Sequence, residues 1–224
     1  LQIGYNIQCP PTIIPGATIT FCGEAPGWQE VEKKEGFIGG SGNILRMMCR
    51  NSGIDFDKCN RTNVAKRRPS GDNFGLFYKD PKKRLQPTQE LQWWQQLVIA
   101  EVSKFKPNVL VVLGNEALKV FTGKTGITKW AGSILESSVI PGLKVIPAVH
   151  PAYIMRDNWE DYYINIRYFK RIAIEAKSPL RLLKEPEDVF ITSPTLEQAI
   201  EFISYIQQHK PQTPWYLDIE TRGD

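Results

Sequence analysis

The run Val109-Leu110-Val111-Val112-Leu113-Gly114 restricts the fold more than any other stretch of this chain. A strand with one wet face alternates polar and apolar residues. An unbroken apolar run suits a central parallel strand covered by helices on both faces. Two further stretches suit neighbouring strands of the same sheet: Ala17-Thr18-Ile19-Thr20-Phe21-Cys22, β-branched and bounded by glycines, and the short apolar run from Leu143 to Val149. Arg61 to Lys66 reads as another strand. Helical spacing separates these runs. It covers Ile44 to Cys49 behind Gly40-Ser41-Gly42-Asn43, Pro87 to Phe105 with Leu91, Trp94, Leu97, Val98 and Val102 on one face, Asn115 to Phe121, and Trp159 to Ala176. Alternating strands and helices imply an α/β fold, a three-layer α/β/α sandwich around a central, mostly parallel sheet. The opening segment, Leu1 to Gly16, holds Cys9-Pro10-Pro11 and Pro15-Gly16 and reads as an irregular arm.

Of the 224 residues, those from 1 to 178 are expected to form this domain, with a charged, proline-bracketed linker at 179–187. Residues 188–224 are expected to begin a second, partial α/β segment: a strand at Val189-Phe190-Ile191-Thr192, a helix reaching His209, and a strand over Trp215 to Thr221. Asp218 and Glu220 stand two apart on that last strand and so share a face, where two carboxylates can hold a divalent metal.

Net charge is only +4, but residues 60–86 carry Arg61, Lys66, Arg67, Arg68, Lys79, Lys82, Lys83 and Arg84 against Asp72 and Asp80. Interleaved with Phe74, Phe77 and Tyr78, this stretch has the composition to follow a phosphate backbone and stack on bases; a solvated loop is the plainer alternative. Cys9, Cys22, Cys49 and Cys59 show no C-x-x-C spacing and are expected to be reduced and structural. The first residue is Leu, no export signal is evident, and no apolar run approaches membrane-spanning length, so a cytoplasmic, intracellular setting without membrane contact is expected.

Gly23-Glu24-Ala25-Pro26-Gly27 lies at the carboxyl end of the first strand, where open α/β sheets place ligands, and His150-Pro151-Ala152 lies at the end of a later one. With Gly36-Phe37-Ile38-Gly39 and Thr62-Asn63-Val64 between them, these motifs resemble, over about residues 17–176, those of uracil-DNA glycosylases, especially the thermostable iron–sulfur branch. The resemblance implies a pocket for uracil flipped out of single- or double-stranded DNA. Gly23, Ala25, Phe37 and Asn63 are the implied substrate-binding residues, with Phe37 stacking on the base and Asn63 reading its edge. Glu24, Glu30 and His150 are the implied catalytic residues, His150 donating to uracil O2 and an acid orienting water. Tyr153, Ile154 and Met155 are the implied wedge, and Lys66, Arg67, Arg68 and Arg156 the remaining DNA contacts.

Two departures qualify the resemblance. The branch ligates its cluster through four cysteines, whereas here Cys9 stands alone, Arg67 occupies one ligand position, and another falls near Trp93. No iron–sulfur cluster is expected, and packing by Trp93 or Trp94 is expected to support that region. The most active members of the superfamily carry an aspartate where this chain has Ala25, so slower chemistry is expected. Asp218-x-Glu220 is similar to the first metal-binding motif of 3′–5′ exonuclease domains, which would need magnesium or a similar divalent metal once complete. The whole therefore resembles the front of a bacteriophage-type DNA polymerase, expected to be monomeric as this fragment. A catalytically weak module that binds DNA or uracil for the polymerase is the rival reading. Hydrolysis of another N-glycoside is a third.

Overall fold

The computed structural model describes residues 4–156, 159–183 and 195–209. The chain divides into two compact units, Leu1–Lys184 and Glu185–Asp224. In chain order the first contains β1 (Ile19–Gly23), α1 (Trp28–Lys33), α2 (Gly39–Arg50), β2 (Asn60–Asn63), β3 (Tyr78–Asp80), β4 (Leu85–Pro87), α3 (Gln89–Phe105), β5 (Val109–Leu113), α4 (Asn115–Thr122), α5 (Ile127–Trp130), β6 (Leu135–Glu136), β7 (Lys144–Ala148), α6 (Pro151–Ile154) and α7 (Glu160–Glu175).

The main sheet runs β2-β1-β5-β7-β6, with every pairing parallel except that of β6 to β7. All five residues of β5 are fully buried, as its unbroken apolar run requires. Its alternate side chains serve two cores. Val109, Val111 and Leu113 pack with Phe21, Leu45, Met48 and Phe169, while Leu110 and Val112 pack with Trp94, Val98, Leu118 and Phe121. The first set joins the sheet to α2 and α7, the second to α3 and α4, which is the expected three-layer α/β sandwich. In α3, Thr88 caps the first turn by accepting from the Leu91 N–H. Leu91, Trp94, Val98 and Val102 are buried, with Leu97 at the edge of that face.

The strand expected at 61–66 is β2, three residues shorter at its carboxyl end. Beyond Asn63 the chain stays tied to β1 through Val64 and Ala65, whose N–H groups donate to the Gly23 and Glu24 carbonyls. The opening arm covers the open edge of β2: Thr12 and Arg61 exchange backbone hydrogen bonds, and Ile14 N–H donates to Asn60 Oδ1 at 2.7 Å. The basic stretch is no simple loop, since β3 and β4 form an antiparallel hairpin within it, pairing Tyr78 with Pro87 and Asp80 with Leu85.

Residues 178–183, at the expected linker, are fastened to the first unit. Lys144 Nζ donates to the Glu175 carboxylate at 2.6 Å and to the Ser178 and Leu180 carbonyls, while Glu175 accepts from the Leu182 and Leu183 N–H groups. The described part of the second unit is the helix α8 (Leu196–His209) with Thr195 before it. Asp218 and Glu220 lie outside the described residues.

Candidate active site

The parallel strands bring their carboxyl ends into line. Gly23 pairs with Asn63 across β1 and β2, and Leu113 with Ala148 across β5 and β7, so Glu24, Asn63, Gly114 and His150 emerge along one edge of the sheet. A cavity of about 590 Å³ opens there, lined by Glu24, Ala25, Phe37, Asn63, His150 and Tyr153 among others.

Gly23 makes the floor possible. A Cβ at this position would lie 2.4 Å from Asn63 Oδ1 and 3.0 Å from the Phe37 ring, so both side chains occupy space that any other residue would fill. Phe37 is placed by its backbone, which adopts the left-handed region (φ +61°). Its N–H donates to Glu30, and its carbonyl lies where a Cβ on Gly42 would stand. Glu30 also accepts from the Gly27 N–H at 2.5 Å, which makes the half of a capping box that a glycine N-cap allows. Both Glu30 oxygens thus serve the loop that presents Phe37. Glu30, which the sequence reading made catalytic, lines the cavity with its carboxylate engaged by these backbone N–H groups.

The Asn63 carboxamide makes no hydrogen bond to another described residue, although the side chain is buried at the cavity wall. In a folded protein a buried amide normally has partners, so an open one facing a cavity has a donor and an acceptor to offer whatever enters it. His150 caps α6, its Nδ1 accepting from the Ala152 N–H at 3.1 Å. Burial, with the Arg156 charge adding to it, pushes its pKa down to about 4. A neutral imidazole that accepts at Nδ1 carries its proton on Nε2, as a donor. Glu24 is the remaining acid at the floor. Burial raises its pKa, opposed by Arg84, whose Nη1 lies 3.0 Å from its Oε1.

Among the expected DNA contacts, several take other places. Lys66 is 1% exposed, its ammonium held by Glu101 at 2.5 Å and Thr62 at 2.7 Å, so it belongs to the core. Ile154 is fully buried, which removes it from any wedge, whereas Tyr153 and Met155 stand exposed. Arg67 is paired in bidentate fashion with Glu90, and Arg68 with Asp72. Arg156 lines the cavity. The sequence reading missed Trp28, 57% exposed at the cavity, and passed over Arg84 as one cation of the basic run. Nothing local marks either: Arg84 acquires meaning only when the hairpin folds back onto Glu24.

The residues do not fit the iron–sulfur cluster of the branch that the chain resembles. The four cysteines are buried and dispersed, Cys22 in one core, Cys49 and Cys59 in the other, and Cys9 in the arm. Burial pushes the Cys9 thiol up to about 11 and those of Cys22 and Cys59 up to about 12, opposing the thiolates a cluster needs. Among the described residues no three His, Cys, Asp or Glu side chains converge as metal ligands. Arg67 instead lies 4.7 Å over the Phe77 ring and 5.6 Å over Trp94, with Tyr5 packed against Trp93 and Trp94.

An aromatic wall, an open carboxamide and a neutral imidazole donor are gathered at the carboxyl edge of a parallel sheet, where such folds place ligands, and together they have the chemistry to hold a flat, hydrogen-bonding heterocycle. The chain belongs to the uracil DNA glycosylase superfamily, whose family model matches residues 10–175. It is 33% identical over 141 residues to the type-4 uracil-DNA glycosylase of Thermotoga maritima and 30% identical over 145 to that of Archaeoglobus fulgidus, covering in each case 62% of this chain and 67% of the relative. It is also 27% identical over 207 residues to the DNA polymerase of Bacillus phage SP01, a match that takes in 92% of this chain but 21% of the polymerase. Among the described residues no helix is long and apolar enough to cross a membrane.

Proposed function

We propose that residues 1–178 form a uracil-DNA glycosylase domain that hydrolyses the N-glycosidic bond of uracil flipped out of DNA, carried at the front of a phage-type DNA polymerase. The open Asn63 carboxamide in a cavity that also presents Phe37 and the His150 Nε2–H carries this reading. Asn63 can donate to uracil O4 and accept from N3–H, a pattern that cytosine reverses. As the bond from C1′ to N1 breaks, its electron pair passes into the uracil ring, and His150 Nε2–H stabilises the charge that grows on O2. Glu24 faces the cationic sugar and orients the water that adds to C1′, leaving free uracil and an abasic site. Because Ala25 supplies no carboxylate, Glu24 acts without the aspartate of the faster enzymes.

In this reading Tyr153 and Met155 fill the gap left by the extruded base, Arg156 meets the backbone, the domain works as a monomer, and no iron–sulfur cluster is required. The polymerase match supports assigning residues 188–224 to the start of a 3′–5′ exonuclease domain, with Asp218 and Glu220 as an incomplete metal-binding pair. The methyl group of Ala25 at the cavity, where the faster enzymes carry an aspartate, favours one alternative, a module that binds uracil or DNA without efficient turnover.

The deciding experiment is a single-turnover assay of residues 1–224 on single-stranded DNA bearing one uracil, with alkali cleavage of abasic sites and Asn63→Ala alongside. Product from the wild type and none from the variant establishes the glycosylase. DNA binding without product at enzyme excess establishes the binding module instead.

A further inference from the structure

Behind Glu24 stands a group of charged residues that the motifs do not include. Arg84 sits in the turn of the β3–β4 hairpin, in left-handed backbone (φ +51°), and places one guanidinium nitrogen between two acids. Its Nη1 is 3.0 Å from Glu24 Oε1 and 2.7 Å from Glu116 Oε1. Glu116 lies in the first turn of α4 with its side chain 5% exposed, and its other oxygen accepts a 2.5 Å hydrogen bond from the buried Tyr78 hydroxyl. Arg84 also rests 5.8 Å from the centre of the Phe74 ring. The buried acid therefore has both oxygens engaged and fixes the guanidinium, which has a second N–H left for Glu24.

We propose that Arg84, aimed by Glu116 and Tyr78, is a positioning residue that holds Glu24 as a fixed anion at the floor of the cavity. The inference rests on the glycosylase reading of that cavity, because only there does Glu24 have a reaction to serve. Burial favours the neutral carboxyl, and the nearby Glu116 charge acts in the same direction; Arg84 opposes both. A protonated Glu24 would neither attract a sugar cation nor accept a proton from water.

The groups that face Glu24 come from three directions. Arg84 comes from the hairpin and Glu116 from α4, and His150 approaches across Gly114, where a Cβ would lie 4.0 Å from both Glu24 Oε2 and His150 Cβ. Farther along the cavity wall are Arg156, Asp72 with its partner Arg68, and Glu30, whose carboxylate is bound by backbone N–H groups. His150 is neutral above about pH 4, so the balance at Glu24 is set by one cation and one anion. Removing each should move Glu24 in opposite directions.

The test is carboxyl 13C NMR titration of the 224-residue chain, with the Glu24 resonance assigned by its loss in Glu24→Gln. In Arg84→Gln the Glu24 midpoint should rise by about one pH unit or more, in Arg84→Lys it should stay near the wild-type value, and in Glu116→Gln it should fall. Glu116→Gln is nearly isosteric and keeps the question answerable where Arg84→Gln does not fold. An unmoved Glu24 midpoint in Arg84→Gln, or a rise in Glu116→Gln, overturns the inference. The acid limb of the single-turnover pH profile should follow the same shifts. A chain that leaves uracil in place but shows the shifts refutes the glycosylase reading while the hold on Glu24 survives. A chain that excises uracil with neither limb nor midpoint moving refutes the hold alone.

Discussion

Gly23 and Asn63 face each other in register across β1 and β2, and the space that a side chain on Gly23 would need is filled by the Asn63 carboxamide oxygen. The Phe37 ring would lie 3.0 Å from the Cβ of that side chain, so one missing methyl group lets two pocket walls close on this strand. In Gly23→Ala both side chains must shift. Misplacing groups by about 1 Å costs on the order of 100-fold in rate, whereas overpacking costs about 1–3 kcal/mol of stability. The single-turnover rate of this variant should fall by about that factor, with only a modest drop in melting temperature. A wild-type rate would separate Gly23 from the pocket.

His150 supplies a prediction about pH and stability. Its folded pKa is depressed to about 4, against an ordinary 6.5 in the unfolded chain. Between these values the unfolded state holds the proton and the folded state does not, so stability falls as pH drops from about 6.5 towards 4. The loss attributable to this residue reaches up to about 3 kcal/mol. Urea midpoints at pH 7.5 and 4.5 should show it in the wild type and show less in His150→Gln. Nitrogen shifts at pH 7 should report the proton on Nε2.

Cations of the basic stretch should separate by what they touch. Lys66→Met removes the partner of Glu101 in the core and should destabilise by about 3–5 kcal/mol, leaving the salt dependence of DNA binding unchanged. Lys82→Ala together with Lys83→Ala, at the exposed hairpin turn, should lower the slope of log affinity on log salt by roughly one to two and leave stability alone. A lower slope in Lys66→Met would contradict its buried position.

Lys144 and Glu175 form a buried ion pair that also gathers the Ser178 and Leu180 carbonyls. Lys144→Met leaves Glu175 without its cation, an expected loss of about 3–5 kcal/mol. Because the same pair holds residues 178–183, limited proteolysis should cut that segment sooner in the variant. Equal cutting rates would mean that other contacts hold it.

The sheet was legible because burial on both faces leaves a direct mark: Val109 to Leu113 has no polar residue to point outward, and β5 is indeed central. The short motifs were legible for a similar reason, since Gly23, Asn63 and His150 each lie at or near a strand end and Phe37 lies just before the glycine-rich start of α2. What sequence hid was long-range pairing. Lys66 and Arg67 look like surface cations until α3 brings Glu101 and Glu90 back against them, 35 and 23 residues downstream. The β3–β4 hairpin has strands of three residues, too short for alternation to register, and without it Arg84 has no connection to Glu24. The backbone partners of Glu30 at Gly27 and Phe37 were hidden for the same reason, since they depend on how the loop between α1 and α2 closes.

The acids on α3 have a consequence for how this surface meets a polyanion. Of the eight cations between residues 60 and 86, Lys66 and Arg67 are neutralised from α3, Arg68 and Arg84 by other carboxylates, and Arg61 is buried. The field that reaches solvent comes chiefly from Lys79, Lys82 and Lys83, which have no ion pair among the described residues. Its strength is therefore metered by a helix that bears none of those three lysines: exchanging Glu90 for a neutral residue would unmask Arg67 and strengthen the grip on a polyanion without adding a single base.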